Sequence, residues 1–338
     1  MLGGSIAPSL DVMAAGAMTA PPPPAPPTPF VFATGVYNPD CVIEIQPGNS
    51  LSDIAENMPD TAVSYNDLQA ENGIDDADHI EAGAHLDICV GNQVDDVTGD
   101  GREGDTIDVL DAGVAAQQRK LNQLFAGFGI TELAVDGISG PLTRQQLCAA
   151  RVAFGLPVSR SDMAQGSAEE QFLMAVPTLP AQPSSDPDDR WLVIDKTCQI
   201  MFVGAGGQIA FVFPTSTGEA GYETRELNNV RAFRFDPATE NAGWHDSTAF
   251  PAAEDNPLNG NMYKPIYFHD GQAIHGSYNV PPEPRSKGCA RLLVEHQDTL
   301  VAWLALADVN GPVWDSGRIN LRVSVQGQFT PTTVPADG

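Results

Sequence analysis

Ile274-His275-Gly276-Ser277 and Ser286-Lys287-Gly288-Cys289-Ala290-Arg291-Leu292 are the two runs on which the reading of this chain turns. The first reads as the end of a strand, and a proline-studded loop leads to the second. Fourteen positions separate His275 from Cys289, too far for helical adjacency but a natural span for a loop that folds back. A nucleophilic cysteine needs a base or a positive field to make its thiolate, and donors placed for the oxyanion that forms on attack. His275 offers the base. Gly288 lets backbone approach a substrate carbonyl, and the amides of Gly288 and Cys289 are the candidate oxyanion hole. Lys287 and Arg291 add positive charge that lowers a thiol pKa and can hold a carboxylate.

Outward from this centre, residues 190–326 read as short strands of period two, with candidates at 191–194, 199–203, 208–213, 232–235, 262–268, 272–274 and 319–325, and one helix at 294–304. A mostly β domain is expected. The pair His-Gly-Ser and Ser-x-Gly-Cys-x-Arg within it resembles the L,D-transpeptidase (YkuD-like) catalytic domain of bacterial cell-wall enzymes. Tyr263-Lys264-Pro265-Ile266-Tyr267-Phe268 and Ser216-Thr217-Gly218 look like the same family. The resemblance implies Cys289 as nucleophile, His275 as general base and the Gly276 carbonyl as the group orienting the imidazole. It implies substrate contacts from Arg291, Ser277, Lys287, Tyr267 and Ser286. Two departures stand out: Lys287 replaces the usual His of Ser-His-Gly-Cys, and Glu223-Thr224-Arg225-Glu226 replaces Thr-Pro-x-Gly. A zinc site on Cys289, His275 and His269 or His245 is the chemical rival, but it lacks closely spaced ligand pairs. The implied reaction needs no metal or organic cofactor. It acylates Cys289 with a tetrapeptide stem and passes the acyl group to a second stem, a 3-3 cross-link; with water as acceptor the enzyme is an L,D-carboxypeptidase. A non-catalytic wall-binding protein is the reading from another class.

Toward the N-terminus the pattern changes. Residues 41–91 read as strand, helix, helix, strand: a Pro47-Gly48 turn, Ser50 as N-cap, Leu51, Ile54 and Ala55 on one helical face, then a second helical stretch with Tyr65 and Leu68. Pro47-Gly48-Asn49-Ser50-Leu51, Asn72-Gly73-Ile74 and Ile80-Glu81-Ala82-Gly83-Ala84-His85-Leu86 resemble the LysM module, which implies binding of peptidoglycan glycans. The bland alternative is a spacer. Residues 92–111 read as an acidic linker. Asp96-x-Thr98-x-Asp100-Gly101 starts like a calcium loop, but its twelfth position is Ile107, where an acidic ligand is needed. Residues 112–160 carry two helical patterns around Val135-Asp136-Gly137-Ile138-Ser139-Gly140-Pro141-Leu142-Thr143, which resembles the small three-helix peptidoglycan-binding domain; packing against a catalytic partner is the plainer role. Residues 161–189 read as a linker and 327–338 as a tail.

The 338 residues are enough for two or three domains. Lys plus Arg total 17 against 44 Asp plus Glu, a net charge of -27, which argues against nucleic acid as a partner. Eleven of the basic residues fall between Arg190 and Arg322, in the domain expected to activate a thiol. No run of eighteen apolar residues offers a transmembrane helix. Residues 1–40 read as an imperfect or truncated export signal followed by a proline-rich spacer, which places the protein in the cell wall, periplasm or medium. Five cysteines leave at least one thiol unpaired. Cys41 and Cys89 bracket the first module and suit a disulfide, and Cys148 and Cys198 can bridge two domains, although four cysteines allow three connectivities.

Overall fold

In a computed structural model, the described residues run from 41 to 331, apart from 61, 78, 93, 99, 102–110, 181–188 and 246–260. The export-like segment, most of the acidic linker and the end of the C-terminal tail lie outside them.

The N-terminal unit pairs β1 (Val42–Glu44) antiparallel with β2 (His85–Asp87), with α1 (Leu51–Asn57) and α2 (Tyr65–Glu71) between them. Both helices start where the caps demand. Ser50 Oγ accepts from the Asp53 amide at 3.1 Å, and Ser64 with Asp67 closes a full capping box. Leu51, Ile54, Leu68, Leu86 and Ile88 turn inward as one core, whereas Tyr65 stays at the surface. Each such fully buried aliphatic side chain contributes about 1.5–3 kcal/mol relative to exposure.

Two segments read as linkers carry structure. Within the first, β3 (Val94–Asp95) pairs antiparallel with β4 (Asp100–Gly101), and Val94 is buried. Three helices follow: α3 (Ala112–Phe125), α4 (Pro141–Ala153) and α5 (Ala168–Ala175). The last lies within 161–189. It is capped by Ser167 and held to α3 by the hydrogen bond from Gln117 Nε2 to Glu170 Oε1, 2.7 Å, with Leu173 buried.

The C-terminal domain is built on two five-stranded sheets. The first holds β5 (Arg190–Asp195), β6 (Ile200–Ala205), β7 (Gln208–Pro214), β8 (Leu227–Arg231) and β14 (Leu321–Gln326) in the order β7-β6-β5-β14-β8. The second holds β9 (Arg234–Phe235), β10 (Trp244–His245), β11 (Met262–His269), β12 (Gln272–Gly276) and β13 (Ala290–Leu292). The helix α6 (Val294–Trp303) packs on the second sheet, and α7 (Ser316–Ile319) precedes β14, so the candidate strand at 319–325 begins two residues late.

Alternation explains why β5 to β7 are apolar on both faces. Leu192, Ile194, Met201, Val203, Phe211 and Phe213 point between the sheets toward Ile266, Ile274 and Leu292. Ile200, Phe202 and Val212 point the other way, into the core of Leu121, Phe125, Leu147 and Leu173 from the helices. The Cys148–Cys198 disulfide crosses this second core, joining α4 to the β5–β6 turn. The Cys41–Cys89 disulfide closes the N-terminal unit, and with Val280, Leu293 and Tyr278 it forms a patch that seats that unit on the C-terminal domain.

Candidate active site

Strands β12 and β13 run parallel, with Ile274 opposite Ala290, His275 opposite Arg291 and Gly276 opposite Leu292. Cys289 lies in the bend just ahead of β13, and its sulfur takes a hydrogen bond from the backbone of Ala273, two residues before His275 on β12. The pairing of β12 with β13 thus draws the cysteine loop to the strand that carries His275, although fourteen positions separate them in sequence. On the far side of β13, Ser216 bridges Arg291 and Gly218 bridges Ser286, so the Ser216-Thr217-Gly218 run flanks the cysteine loop. Thr215 Oγ1 donates to the Arg291 carbonyl at 2.7 Å, and the Arg285 and Ser286 amides both donate to the Thr217 carbonyl at 3.0 Å.

His275 is 5% exposed, and its Nδ1 lies 2.9 Å from the Gly276 carbonyl. A carbonyl only accepts, so the proton sits on Nδ1 and Nε2 keeps the lone pair of a base. Burial lowers the imidazole pKa most, and the Arg291 charge lowers it further, against the Gly276 carbonyl and the charge of Asp60, which raise it.

Cys289 is the free cysteine and is partly exposed. Burial of its sulfur raises the thiol pKa, while a hydrogen bond from the Ala273 amide and the Arg291 charge pull it down. Sγ also lies 3.9 Å from both Met262 Sδ and the Gly271 carbonyl. Burial thus favours the uncharged form of both groups, the neutral imidazole of His275 and the neutral thiol of Cys289.

Gly288 has φ +114°, a conformation that favours glycine, and an added Cβ would stand 2.9 Å from Gln272 Nε2. Its amide does not point freely at a substrate. It donates to Ser286 Oγ at 3.2 Å, and that hydroxyl in turn donates to the Cys289 carbonyl at 2.6 Å. The expected two-amide oxyanion hole is corrected accordingly: in this state the Gly288 N–H is committed to the turn, because the short Ser-x-Gly span folds the hydroxyl back onto it.

The other expected contacts are placed unevenly. Arg291, 7% exposed, donates from Nη1 to the Asn279 carbonyl at 3.3 Å. Ser277 and Ser286 are each 1% exposed with their hydroxyls engaged inside the protein, on Asp60 and Cys289 respectively. Lys287 pairs with Glu219 and lies 4.3 Å from the Tyr222 ring centroid. Tyr267 is buried with Arg234 stacked 4.7 Å from its ring, and burial pushes its phenol up to about 12. His269 and His245 are not gathered with Cys289 and His275. Among the described residues the one trio with metal-ligand proximity is Cys41, Cys89 and Asp96, whose two sulfurs are bonded to each other.

Four participants escape sequence reading: Asp60, Met262, Asn279 and the Ala273 amide. Met262 and Ala273 lie in strands recognised only as strands. Asp60 comes from 217 positions before Ser277, and no local pattern signals it.

The family model of the L,D-transpeptidase catalytic domain matches residues 189–319, and that of the LysM domain matches residues 43–88. Among solved structures, the L,D-transpeptidase (residues 123-326) from Xylanimonas cellulosilytica DSM 15894 is similar at 26% identity, over 63% of this chain and 92% of that one, with a TM-score of 0.36. An L,D-transpeptidase from Stackebrandtia nassauensis is similar at 18% identity, over 68% and 98%, with a TM-score of 0.37. L,D-transpeptidase 1 from Mycobacterium tuberculosis is similar at 19% identity, over 41% and 62%, with a TM-score of 0.29. No curated protein matches.

Proposed function

We propose that this chain, which carries an L,D-transpeptidase catalytic domain at residues 189–319 and a LysM domain at residues 43–88, is a cysteine L,D-transpeptidase that makes 3-3 cross-links in peptidoglycan. The observation that supports the reading is that the Cys289 sulfur takes a hydrogen bond from the backbone of Ala273 on the strand carrying His275, whose imidazole is tied through Nδ1 to the Gly276 carbonyl. Cys289 Sγ attacks the carbonyl that joins the L-centre of a diamino acid to the terminal D-Ala of a tetrapeptide stem. His275 Nε2 takes the thiol proton and delivers it to the amine of the departing D-Ala as the C–N bond breaks. A thioester on Cys289 remains. The side-chain amine of a neighbouring stem attacks it, loses a proton to His275, and the C–S bond breaks as the sulfur recovers that proton.

Arg291 supplies the positive charge for the stem's carboxylate, joined by Lys287, Ser277, Ser286 and Tyr267 as the remaining substrate contacts in this reading. For Ser286 that contact requires release of its internal hydrogen bond to the Cys289 carbonyl, whereas Ser277 keeps its bond to Asp60 and contributes through the turn that it anchors. The Cys289 amide is the main oxyanion donor. The LysM domain binds glycan, and the helical unit at 112–160 is assigned a second peptidoglycan contact besides its packing on the sheet. Tethering both to the wall raises local substrate concentration without new contacts in the cleft. The protein acts as an exported, cell-wall-associated enzyme.

Mass spectrometry after incubation with a carbapenem tests the nucleophile. An adduct on the wild type that is lost in Cys289→Ala is expected, and a well-folded wild type without an adduct would overturn the reading. Product analysis with a tetrapeptide donor and an added D-amino acid separates exchange from release of D-Ala to water, the mark of the L,D-carboxypeptidase alternative.

A further inference from the structure

The carboxylate of Asp60 comes from the loop between α1 and α2 of the LysM domain, yet it sits in the catalytic centre with 1% exposure. Oδ1 accepts from the amide of Ala62 in its own loop at 2.9 Å. Oδ2 accepts from Ser277 Oγ at 2.7 Å and from the Tyr278 amide at 2.8 Å, the two residues that follow His275-Gly276. The Ala62 carbonyl accepts from Asn279 Nδ2 at 3.0 Å, while the Asn279 carbonyl accepts from Arg291 Nη1 at 3.3 Å. Three consecutive residues, 277 to 279, thus hang from the LysM loop. They connect the carbonyl that holds the His275 ring to the acceptor of the Arg291 guanidinium.

A mere adhesive between domains would use apolar contact, which the Val280, Leu293 and Cys41–Cys89 patch already supplies. A buried carboxylate is costly unless paired and hydrogen-bonded, and Asp60 meets that condition with groups of the catalytic centre. Its charge acts on Arg291 and on His275, while Glu219 and Cys289 also face Arg291.

We propose that Asp60 is a positioning residue of the catalytic centre, through which the LysM domain holds the 277–279 turn and, with it, the Gly276 carbonyl, the His275 ring and Arg291. The proposal rests on the reading of His275 and Cys289 given above. It makes the catalytic domain incomplete without the domain that precedes it.

The test uses the full chain with Asp60→Ala and Asp60→Asn. Cys289 is the free cysteine beside two disulfides, so alkylation by iodoacetamide across pH reads its environment without requiring turnover. Turnover of a tetrapeptide gives kcat and KM. Asp60→Ala is expected to lower kcat by about ten-fold or more with little change in KM, since small misplacements of reacting groups are costly. Without the opposing carboxylate, Arg291 acts more strongly on the thiol, and the alkylation midpoint moves to lower pH in both variants. Asp60→Asn keeps an oxygen acceptor for Ser277 and Tyr278, so it recovers most of kcat while keeping the shifted midpoint. Wild-type kcat and an unshifted midpoint in Asp60→Ala overturn the proposal. If the alanine variant fails to fold, the same result in Asp60→Asn overturns it. Should the wild type alkylate normally but neither form the carbapenem adduct nor turn over the tetrapeptide, the proposed function falls, and the alkylation midpoints alone decide Asp60.

Discussion

His275 and Arg291 stand directly opposite each other across the parallel pair β12–β13. The guanidinium therefore acts on both partners of the thiol–imidazole pair: it lowers the imidazole pKa along with burial, and it lowers the thiol pKa against burial. One cation thus favours both the neutral imidazole and the thiolate form of the cysteine.

The pH dependence of turnover follows from those directions. The imidazole is held below its ordinary 6.5 and the thiol above its ordinary 9.0, so the reactive form, with one proton shared between them, spans neutral pH. The acid limb of kcat/KM should lie below 6.5, where His275 gains a proton, and the alkaline limb above 9.0, where the proton is lost from the pair. Tetrapeptide turnover measured across pH checks this; an acid limb at or above neutrality contradicts it.

Gly276 has no room for a side chain. A Cβ there would meet Tyr263 Cβ at 2.9 Å and the Val294 Cα at 3.2 Å. Gly276→Ala should cost about 1–3 kcal/mol as an overpacking substitution, and it should lower kcat because the displaced carbonyl is the one that holds the imidazole. Thermal unfolding and turnover together read the two effects. A variant with wild-type melting and rate would show that the strand yields without moving His275.

Asp96 carries a stability penalty that depends on pH. Burial, then the neighbouring Asp87, raise its carboxyl to about 7 from 3.8. Between those values the folded state keeps a proton that the unfolded state has released, so stability falls as pH rises through the window. Asp96→Asn should therefore raise the melting temperature at pH 8 and lose that advantage near pH 4, by an amount on the order of a few kcal/mol at most. Equal gains at both pH values would assign the effect to packing.

The Cys148–Cys198 disulfide ties the helical unit to the sheet through a closed loop of sequence separation 50. Replacing both residues by alanine should destabilise the protein by about 2–4 kcal/mol in denaturant unfolding. Leu147, Leu121 and Phe125 still bury against Ile200 and Phe202, so the two units should continue to unfold together. Separation into two transitions would mean that the disulfide alone couples them.

Much of this architecture was legible locally. Ser50 marks a helix start because a hydroxyl satisfies an amide three residues on, and His275 and Cys289 declare themselves through the glycines and cations around them. Where the sequence misled, the reason is physical. The stretch containing α5 looked like a linker because eight residues give too little periodicity, and its identity as a helix depends on Leu173 finding a core already made by α3. The Gly288 amide read as a free donor because its partner, the Ser286 hydroxyl, is chosen by a turn that sequence spacing leaves open.

The sequence by itself determined the LysM domain, the mostly β C-terminal domain, and His275 and Cys289 as the candidate pair, since each is written in short-range spacing that local backbone geometry obeys. Only the tertiary structure decided that β5 to β7 are covered on both faces and that Asp60 reaches Ser277 from 217 positions away. Those contacts depend on how whole units seat against one another, which is set by complementary surfaces and not by any periodicity along the chain.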